Sequence, residues 1–416
     1  MADVPASVAQ ILDAFKRMYG PRIERQPNLM AYLYKEFDKT KQVVGGQGWY
    51  FPLQMTGGQS IGAYKATEDV SDAQAETIVQ SNVQWKNNYA LIQITGDAIE
   101  ASKQNMMAFI QGRELEVKSK TLWLISDMNR QCYGDSHGEF GDEASDAANT
   151  ITFGAEVNMN WFRIGRKIDI FNSALTTKRN GTVGTAKEGR SITAVNLVTR
   201  TITYSGSDLS GSTAATDRVF AEDSRLGLAA GDEGKELGGL RHIIDDGTDS
   251  NAIYQGVSGT TYPDWRGNRL GNSGTLRVLS LDLMQQSIDT TEIASGKKVN
   301  MLLMGFGQRR NYLNLLWFDV RYEPQKLKGG FQVLDYSGIE VYVDKDCPSQ
   351  TIVGLNRETL KRFELTGIGF AGSGSGAPEA ERVSHRDTYE ILIRQYANLG
   401  CFQRNANFRL VDLQEP

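Results

Sequence analysis

The sequence predicts a mixed α+β fold, and three stretches of the chain carry this prediction. Residues 97–133 have the periodicity of one long helix, residues 43–97 read as a long two-stranded hairpin, and residues 299–363 alternate short strands and helices. Strand and helix patterns that follow one another without a regular repeat are typical of α+β proteins. The chain has 416 residues, which is enough for the cores of two or three domains.

The composition is that of an ordinary globular protein, with 40% hydrophobic and 23% charged residues. The 43 glycines against 9 prolines indicate many tight turns. The chain has three cysteines, an odd number, and they lie far apart in the sequence: Cys132, Cys347 and Cys401. This favours reduced, apolar cysteine side chains over a disulfide framework. Neither a secretory signal nor a membrane span is predicted, so we expect the protein to be made and assembled in the cytoplasm.

The first element is a helical pattern within residues 5–34, broken by Pro21 and Pro27. Its apolar residues follow at spacings of three and four: Val8, Ile11, Leu12, Phe15, Met18 and Tyr19.

Residues 49–55 and 79–94 then read as the two long strands of a hairpin with a polar, glycine-containing end that carries Ile61 and Tyr64. Two strands alone bury too little surface to be stable in water, so the hairpin needs something to lie on. An ordinary hairpin packed on its own domain is the alternative.

The longest helical pattern covers residues 97–133, where apolar residues recur at multiples of about 3.6 and no proline interrupts. Asp97 suits the N-cap, with Glu100 three residues later. A helix of this length would be about 50 Å long at 1.5 Å per residue, which indicates a spine under a broad domain. A coiled coil is disfavoured because polar residues interrupt the heptad positions.

Residues 149–223 change character and become rich in Thr, Val, Ile and Gly, with turn signals such as Asn180-Gly181. Strand-sized pieces at this spacing predict a small antiparallel sandwich or barrel. Residues 224–282 are glycine-rich and irregular, and a helix is predicted over residues 281–295.

The stretch from residue 299 predicts a buried strand (299–304), a helix (308–316), a hairpin turning at Ser337-Gly338, another strand (351–355) and a short helix (357–363). Two more strands are predicted at residues 389–396 and 407–413. The segments MLLMGFGQRRNYLNLL, LKGGFQVLDYSGIEVYVDKDCP and TIVGLNRETLKRFEL, in this order, resemble the axial domain of tailed-bacteriophage major capsid proteins, which have the Hong Kong 97-type fold.

This resemblance implies a plan for the whole chain. Residues 1–42 would be an N-terminal arm that runs across a neighbouring subunit, 43–95 the extended loop, and 96–148 a peripheral domain with the spine helix. Residues 149–223 would be an inserted β-rich module, 224–385 the axial domain, and 386–416 a return to the peripheral domain.

The motifs that could carry chemistry lack the residues or the context that such chemistry needs, so no catalytic residue, cofactor or metal is expected. Gly367, Gly369 and Gly372 match G-x-G-x-x-G but precede a flexible loop rather than a helix, so a mobile loop is predicted there. An aspartate group at 245, 246 and 249 lacks the ligand set of a calcium loop. The three histidines lie about a hundred or more residues apart, without metal spacing.

The function implied by the resemblance is a major capsid protein that self-assembles into pentamers and hexamers of an icosahedral shell around double-stranded DNA. The expected partners are a scaffolding protein, a portal, a possible decoration protein and DNA in weak non-specific contact, since the net charge is −5. No membrane partner is expected, and the protein would reside in the virion. Residues expected to contact other subunits are Trp49, Ile61, Tyr64, Lys65 and Trp85.

Two alternatives come from other classes of protein. An encapsulin-like compartment shell has the same fold but holds an enzyme cargo instead of DNA. A soluble α+β enzyme would need a convergent polar pocket, for which the sequence offers no constellation of residues. Some relatives cross-link their subunits through a lysine in the extended loop; Lys65 is the lysine near the hairpin tip, and no sequence rule identifies its partner.

Overall fold

The structure is a computed structural model that describes residues 28–40, 48–57, 61–69, 72, 75–103, 106–147, 149–207, 209, 216–225, 234–248, 253–317, 334–371 and 381–416. The helix predicted from the pattern between Val8 and Tyr19 lies outside these residues. So do Asp249, the beginning of the strand predicted before Ser337 and the end of the predicted glycine loop.

The described helices are α1 (Leu33–Glu36), α2 (Gly96–Lys103), α3 (Met106–Gln131), α4 (Leu240–Ile243), α5 (Leu281–Ser295) and α6 (Phe306–Trp317). The first strands are β1 (Lys39–Thr40), β2 (Trp49–Thr56), β3 (Thr77–Val83), β4 (Lys86–Thr95), β5 (Glu139–Ala147), β6 (Thr150–Phe153), β7 (Lys167–Phe171), β8 (Arg190–Asn196), β9 (Thr201–Tyr204) and β10 (Arg218–Ala221). The remaining strands are β11 (Ile253–Tyr254), β12 (Val257–Ser258), β13 (Asn268–Leu270), β14 (Met301–Met304), β15 (Leu334–Tyr336), β16 (Ile339–Val343), β17 (Ile352–Leu355), β18 (Leu360–Phe370), β19 (Glu381–Arg382), β20 (Thr388–Cys401) and β21 (Phe408–Leu410).

A five-stranded sheet built around β20 forms the first layer. β20 pairs antiparallel with β18 on one side and with β4 on the other, while β1 runs parallel to β18. Alternate residues of β4 and β20, such as Ile92 and Ile391, are buried on one face. Met128 and Cys132 at the end of α3 are fully buried in the same core. The long helix therefore supports this sheet, as a spine would.

The predicted spine helix matches the structure in position, with a different start. α2 begins at Gly96, so Asp97 lies in its first turn rather than at the N-cap, and its carboxylate accepts from the backbone N–H of Ala98 at 2.9 Å. α2 and α3 are the described parts of this stretch on either side of residues 104 and 105, which lie outside the described residues.

The prediction that residues 79–94 form one strand, the second arm of the hairpin, was wrong. The chain forms two strands with different partners: β3 pairs with β2, whereas β4 joins the sheet around β20. The change occurs at Gln84 and Trp85, where Asn398 donates to the Gln84 carbonyl oxygen at 2.6 Å. The sequence keeps apolar residues at odd positions through this point, at Val83, Trp85, Tyr89 and Leu91, although the buried face changes to even positions such as Ile92, so the pattern alone did not reveal the change of partner.

The stretch predicted as a small antiparallel sandwich or barrel forms a closed antiparallel barrel with the strand order β10-β5-β6-β9-β8-β7. Apolar side chains from all six strands share one buried core: Phe140, Ile151, Phe153, Ile168, Ile170, Ile192, Ile202, Tyr204 and Val219. The first barrel strand, β5, precedes the predicted boundary at residue 149 and lies in the stretch assigned to the peripheral domain. Its sequence EFGDEASDA is acidic and lacks apolar alternation, so only closure of the barrel identifies it as a strand.

A second sheet, which contains the strands of the stretch predicted as the axial domain, has six strands in the order β13-β21-β17-β14-β16-β15. Its core combines residues of β14 with Met284 and Ile288 of α5 and Tyr312 of α6. Residues 386–416, predicted as one return segment, divide between two sheets: β20 lies in the five-stranded sheet, whereas β21 lies between β13 and β17 in this second sheet. β21 is only three residues long, and its place depends on pairing with distant strands.

Two further sequence predictions need correction in the last third of the chain. The short helix predicted over residues 357–363 is a single 3₁₀ turn, Arg357–Thr359, and β18 begins at Leu360. Gly367 and Gly369, assigned to a mobile loop, lie inside β18, where the pairing with β20 shifts register between Thr366 and Gly369. Glycine tolerates the irregular backbone of such a bulge, so a glycine-rich string does not by itself indicate a loop.

The N-terminal arm predicted over residues 1–42 also differs from the structure in its second half. Leu33 and Tyr34 are 0% and 3% exposed within the core, and β1 extends the sheet beside β18. The guanidinium of Arg362 lies over the Tyr34 ring at 4.1 Å and donates to its carbonyl oxygen. Residues 31–40 are therefore packed into their own subunit.

A buried polar junction joins α3 to the loop after β16. The Asn129 amide donates to Asp344 at 3.0 Å and to Asp346 at 2.7 Å, and its oxygen accepts from the backbone N–H of Tyr34. Lys345 pairs with Asp346 at 2.8 Å. We name Asn129, Asp344, Lys345 and Asp346 the polar junction; burial raises the pKa of Asp346, and Lys345 opposes that rise.

Replacement of Asn129 by alanine leaves two buried carboxylates with fewer donors and the Tyr34 N–H without its acceptor. We expect Asn129→Ala to lower the free energy of unfolding by about 3 kcal/mol, measured by urea denaturation. Lys120→Ala on the exposed side of the same helix is the control and should change stability by less than about 0.5 kcal/mol. Equal losses in the two variants would contradict the role assigned to Asn129.

Candidate subunit interface

The hairpin of β2 and β3 is a ribbon of two strands, paired from Trp49 opposite Val83 to Thr56 opposite Thr77. The side chains become more exposed from the root of the ribbon toward its far end. Trp49 and Val83 at the root are buried, whereas Ile78 near the far end is 65% exposed and residues 61–69 are all exposed. The ribbon thus has a fixed root and an end that its own subunit leaves exposed to solvent.

The root is held by an aromatic cluster. The Trp49 ring lies 5.2 Å from that of Phe363 and 6.2 Å from that of Trp85, to which it is perpendicular. Phe51, two residues after Trp49, packs on Phe402 with the ring centroids 4.7 Å apart. These contacts join the hairpin to β18 and to the end of β20, so the direction of the hairpin is set by the main sheet.

A second contact clamps the root from the opposite strand. The turn between β11 and β12 has positive φ at Gln255 (53°) and Gly256 (76°), which places the Gln255 carbonyl oxygen 2.9 Å from the Asn82 N–H. The Gln255 amide lies 3.0 Å from the hydroxyl of Ser81, which is fully buried. The irregular glycine-rich stretch therefore contributes a support for the hairpin that the sequence did not indicate.

The five residues predicted to contact other subunits fall into two groups. Ile61 is 97% exposed and Tyr64 is 40% exposed, and the Lys65 ammonium, on a largely exposed side chain, lies 3.9 Å from Glu68. Trp49 is 2% exposed, so its surface is already covered inside its own subunit and the prediction for this side chain is corrected. Trp85 is half-buried against Trp49. For Ile61, Tyr64, Lys65 and Trp85 the contact stays a prediction.

The outward face of the main sheet is a further surface that the sequence analysis did not assign. Tyr89 and Leu91 of β4 are 50% and 45% exposed, and the Tyr89 and Tyr396 rings lie 6.1 Å apart on neighbouring strands. The hydrogen bond with Tyr89, together with Arg394, lowers the pKa of Tyr396. In the sequence, Tyr89 and Leu91 alternate with Ile92 and Ile94, which predicts two opposite faces of the strand. In the structure the face with Ile92 and Ile94 is buried and the face with Tyr89 and Leu91 is exposed to solvent.

Residues with catalytic or metal-binding potential are used for packing. Among the described residues, no group of three or more His, Cys, Asp or Glu side chains could hold a metal ion, and no helix is long and apolar enough to cross a membrane. Cys132, Cys347 and Cys401 are buried, and burial raises the pKa of each thiol. Asp127 is held ionised by Arg130 and Arg166, which lower its pKa against the effect of burial.

No protein-family model matches the chain, and no curated protein sequence matches it. Among solved structures, a chain of the cyanophage A-1(L) capsid asymmetric unit superposes with a TM-score of 0.57, covering 98% of both chains at 12% identity. The chain therefore has a mixed α+β fold that matches Hong Kong 97-type capsid structures. At this identity the similarity concerns the fold alone.

Two other solved structures superpose less well, with TM-scores below 0.5. The capsid of an empty GTA particle covers 100% of both chains at 7% identity, with a TM-score of 0.47. The match to the SrpI encapsulin of Synechococcus elongatus PCC 7942 covers 97% of this chain and 95% of that chain at 8% identity, with a TM-score of 0.42.

Loss of the aromatic root should destabilise this capsid-type fold, whereas changes at the hairpin end should not. We expect Trp49→Ala to lower the free energy of unfolding by about 3 kcal/mol, because a large buried ring leaves a cavity. Ile61→Ala at the exposed end is the control and should change it by less than about 0.5 kcal/mol. Urea denaturation of the purified subunit measures both, and a neutral Trp49→Ala would contradict the anchoring role.

The clamp at the hairpin root should respond to acid through His242. Its ring packs on the Tyr254 ring, with the centroids 4.9 Å apart, and its Nε2 lies 3.1 Å from the Ile253 carbonyl oxygen. Burial, together with the charge of nearby Arg404, lowers the pKa of His242 from 6.5 to about 4. Between these two values the unfolded chain binds the extra proton. The contribution of neutral His242 is thus complete above pH 6.5 and is lost as the pH falls toward 4.

We expect this loss to reach about 3 kcal/mol and to be absent from His242→Gln. The measurement is the free energy of unfolding of both proteins across this pH range. His385→Gln, at an exposed position, is the control and should keep the slope of the unaltered protein. The same slope in His242→Gln would show that the buried imidazole does not titrate as assigned.

Proposed function

We propose that the chain is the major capsid protein of a tailed phage, which self-assembles into an icosahedral shell around packaged double-stranded DNA. The observation that carries this proposal is the two-stranded hairpin, rigidly anchored at Trp49 and exposed along its end. The fold match to a phage capsid chain over nearly the whole length supports it. The role is structural, so no catalytic activity is assigned.

The hairpin end offers apolar surface that a neighbouring copy would cover. Ile61 and Ile78 are 97% and 65% exposed, and a two-stranded ribbon gains stability when it lies on another surface. Tyr89, Leu91 and Tyr396 on the outward face of the sheet provide a broad aromatic surface of the kind that is enriched at interfaces. We infer that the two surfaces belong to successive contacts between copies.

Such a contact joins different patches of two identical subunits, so it forms rings where the rotation closes. Pentamers and hexamers built this way would close into a shell, in which many modest contacts act together. Within this plan we assign the barrel to an inserted module, and we expect a scaffolding protein, a portal and possible decoration proteins as partners. The net charge of −5 favours weak, non-specific contact with the packaged DNA. The protein would be assembled in the host cytoplasm and would reside in the virion.

Assembly tests the proposal most directly. The chain, expressed with and without a phage scaffolding protein, should give closed shells, pentamers or hexamers by negative-stain electron microscopy. Ile61→Asp should reduce the yield of shells at least tenfold, because a charge replaces an apolar contact, and should leave the unfolding free energy of the subunit within about 0.5 kcal/mol. Val183→Asp, exposed on the barrel, is the matched control and should still assemble.

A monomer under every condition would overturn the capsid proposal and favour the soluble enzyme. Shells that form normally with Ile61→Asp would leave the shell function standing but remove the hairpin end from the interface. An encapsulin-like shell would be recognised by an enzyme cargo, instead of DNA, in particles isolated from the native source.

A further inference from the structure

A buried cluster of charged side chains lies beside strand β7 of the barrel. Lys178 and Asp169 are 5% and 3% exposed, and the Lys178 ammonium lies 3.2 Å from Oδ1 of Asp169. Oε2 of Glu188 lies 3.7 Å from the same ammonium. Lysine is rarely buried this completely, because removing its charge from water costs free energy.

The cluster lies on the face of β7 that points away from the barrel core. Asp169 precedes Ile170, which belongs to that core, and Asp169 is paired with Phe220 of β10. Lys178 forms an isolated bridge with Phe171, whose ring centroid lies 5.6 Å from that of Phe220. Two aromatic residues therefore flank the ion pair and limit the access of water.

This edge of β7 is also the weakest seam of the barrel. β7 and β8 have the shortest strand pairing in the barrel, which ends at Ile168 opposite Arg190. Beyond this point residues 177–180 lie beside β7 instead, and the N–H of Arg179 donates to the Ile170 carbonyl oxygen at 2.7 Å. A covalent link between Lys178 and Asp169 would fasten the barrel where its strands hold it least.

The Asp169 carboxylate is held in one orientation by donors on both of its oxygens. Nδ2 of Asn180 donates to Oδ1 at 3.0 Å, and the backbone N–H of Asp223 donates to Oδ2 at 2.9 Å. The carboxyl carbon is thus fixed one bond away from the oxygen that Lys178 contacts. Fixed donors of this kind stabilise the negative charge that develops on oxygen when a carbonyl carbon is attacked.

Glu188 is placed to move protons at the same site. Its Oε2 accepts from the N–H of Thr182 at 2.7 Å, which holds the carboxylate near the Lys178 ammonium. Gly181 leaves room for it, since a Cβ at this position would occupy the place of the Glu188 carboxylate. A carboxylate within reach of an amine can take a proton from it and give that proton to a leaving group.

We propose that Lys178 and Asp169 condense into an isopeptide bond within the chain once the barrel has folded. Proton transfer within the ion pair gives a neutral amine and a carboxylic acid, and Nζ of Lys178 then attacks Cγ of Asp169. The electron pair of the Cγ–Oδ2 double bond moves onto Oδ2, beside the Asp223 N–H. Glu188 takes a proton from Nζ and gives it to Oδ1, the Cγ–Oδ1 bond breaks, and one water molecule leaves.

Burial and proximity both favour the amide. The ion pair keeps two charges out of water, whereas the amide that replaces it is neutral. Two reacting groups that the fold holds in contact also react far faster than the same groups free in solution. The bond lies inside one chain, so it involves neither Lys65 nor a neighbouring subunit, and it does not rest on the proposed shell function.

Peptide mass spectrometry of the folded chain tests the bond. Trypsin should cleave after Lys167 but not after Lys178, because the modified lysine has lost its charge. Residues 168–179 should therefore appear as one looped peptide that is lighter than its sequence by one water molecule. A linear peptide that ends at Lys178 and has its full mass would overturn the proposal.

Three variants, made by cell-free translation and sampled over time, separate the bond from other losses of water. Lys178→Arg keeps a cation beside Asp169 but has no amine to condense, so residues 168–178 should be released at full mass. Glu188→Gln should slow formation of the bond about tenfold or more. Glu156→Gln, exposed in another loop of the barrel, is the control and should leave the rate within about twofold.

Two results with these variants would contradict the proposal. Loss of water that persists in Lys178→Arg would place it in another reaction, such as imide formation at Asp169. An unchanged rate in Glu188→Gln would contradict the proton transfer by Glu188. Because the mass is read on single chains, assembled or not, failure of this proposal is distinguishable from failure of the capsid proposal.

Discussion

The polar junction between α3 and the loop after β16 is the contact on which the rest of the structure depends. Asn129 bridges two buried carboxylates and the backbone of the N-terminal segment, while Asn158 and Trp161 donate to carbonyl oxygens of the same loop. Buried polar groups are costly unless every partner is in place. We infer that the junction therefore fixes the register of the spine helix, the axial domain and the barrel at a single point.

The direction of the hairpin follows from this arrangement. The spine helix supports the sheet, and β18 and the residues after β20 carry Phe363 and Phe402, on which Trp49 and Phe51 pack. The turn at Gln255 closes the other side of the root. A ribbon that would be marginal alone is thereby held in a defined direction by its own subunit, and the residues described at its far end stay exposed.

Elements with strong local signals were predicted closely. The helix at residues 281–295 matches α5, whose N-cap Ser280 accepts from Leu283 and whose C-cap Gly296 has a φ of 68°. The turn at Ser337-Gly338 has positive φ at both residues, as a tight hairpin requires. For the candidate interface, the polar composition of residues 61–69 indicated an exposed end. The sequence pattern could not show that the apolar side chain of Ile61 is exposed, whereas that of Trp49 is covered by the sheet.

The sequence by itself determined the mixed α+β fold class, the long helical stretch, the β-rich stretch after it and most of the elements between residues 281 and 355, because period and capping are properties of neighbouring residues. Only the tertiary structure decided that acidic β5 closes the barrel, that β21 enters the axial sheet, and that the strand before Trp85 and the strand after it have different partners. Strand pairing joins residues far apart in the chain, and local alternation specifies a face without specifying what covers it.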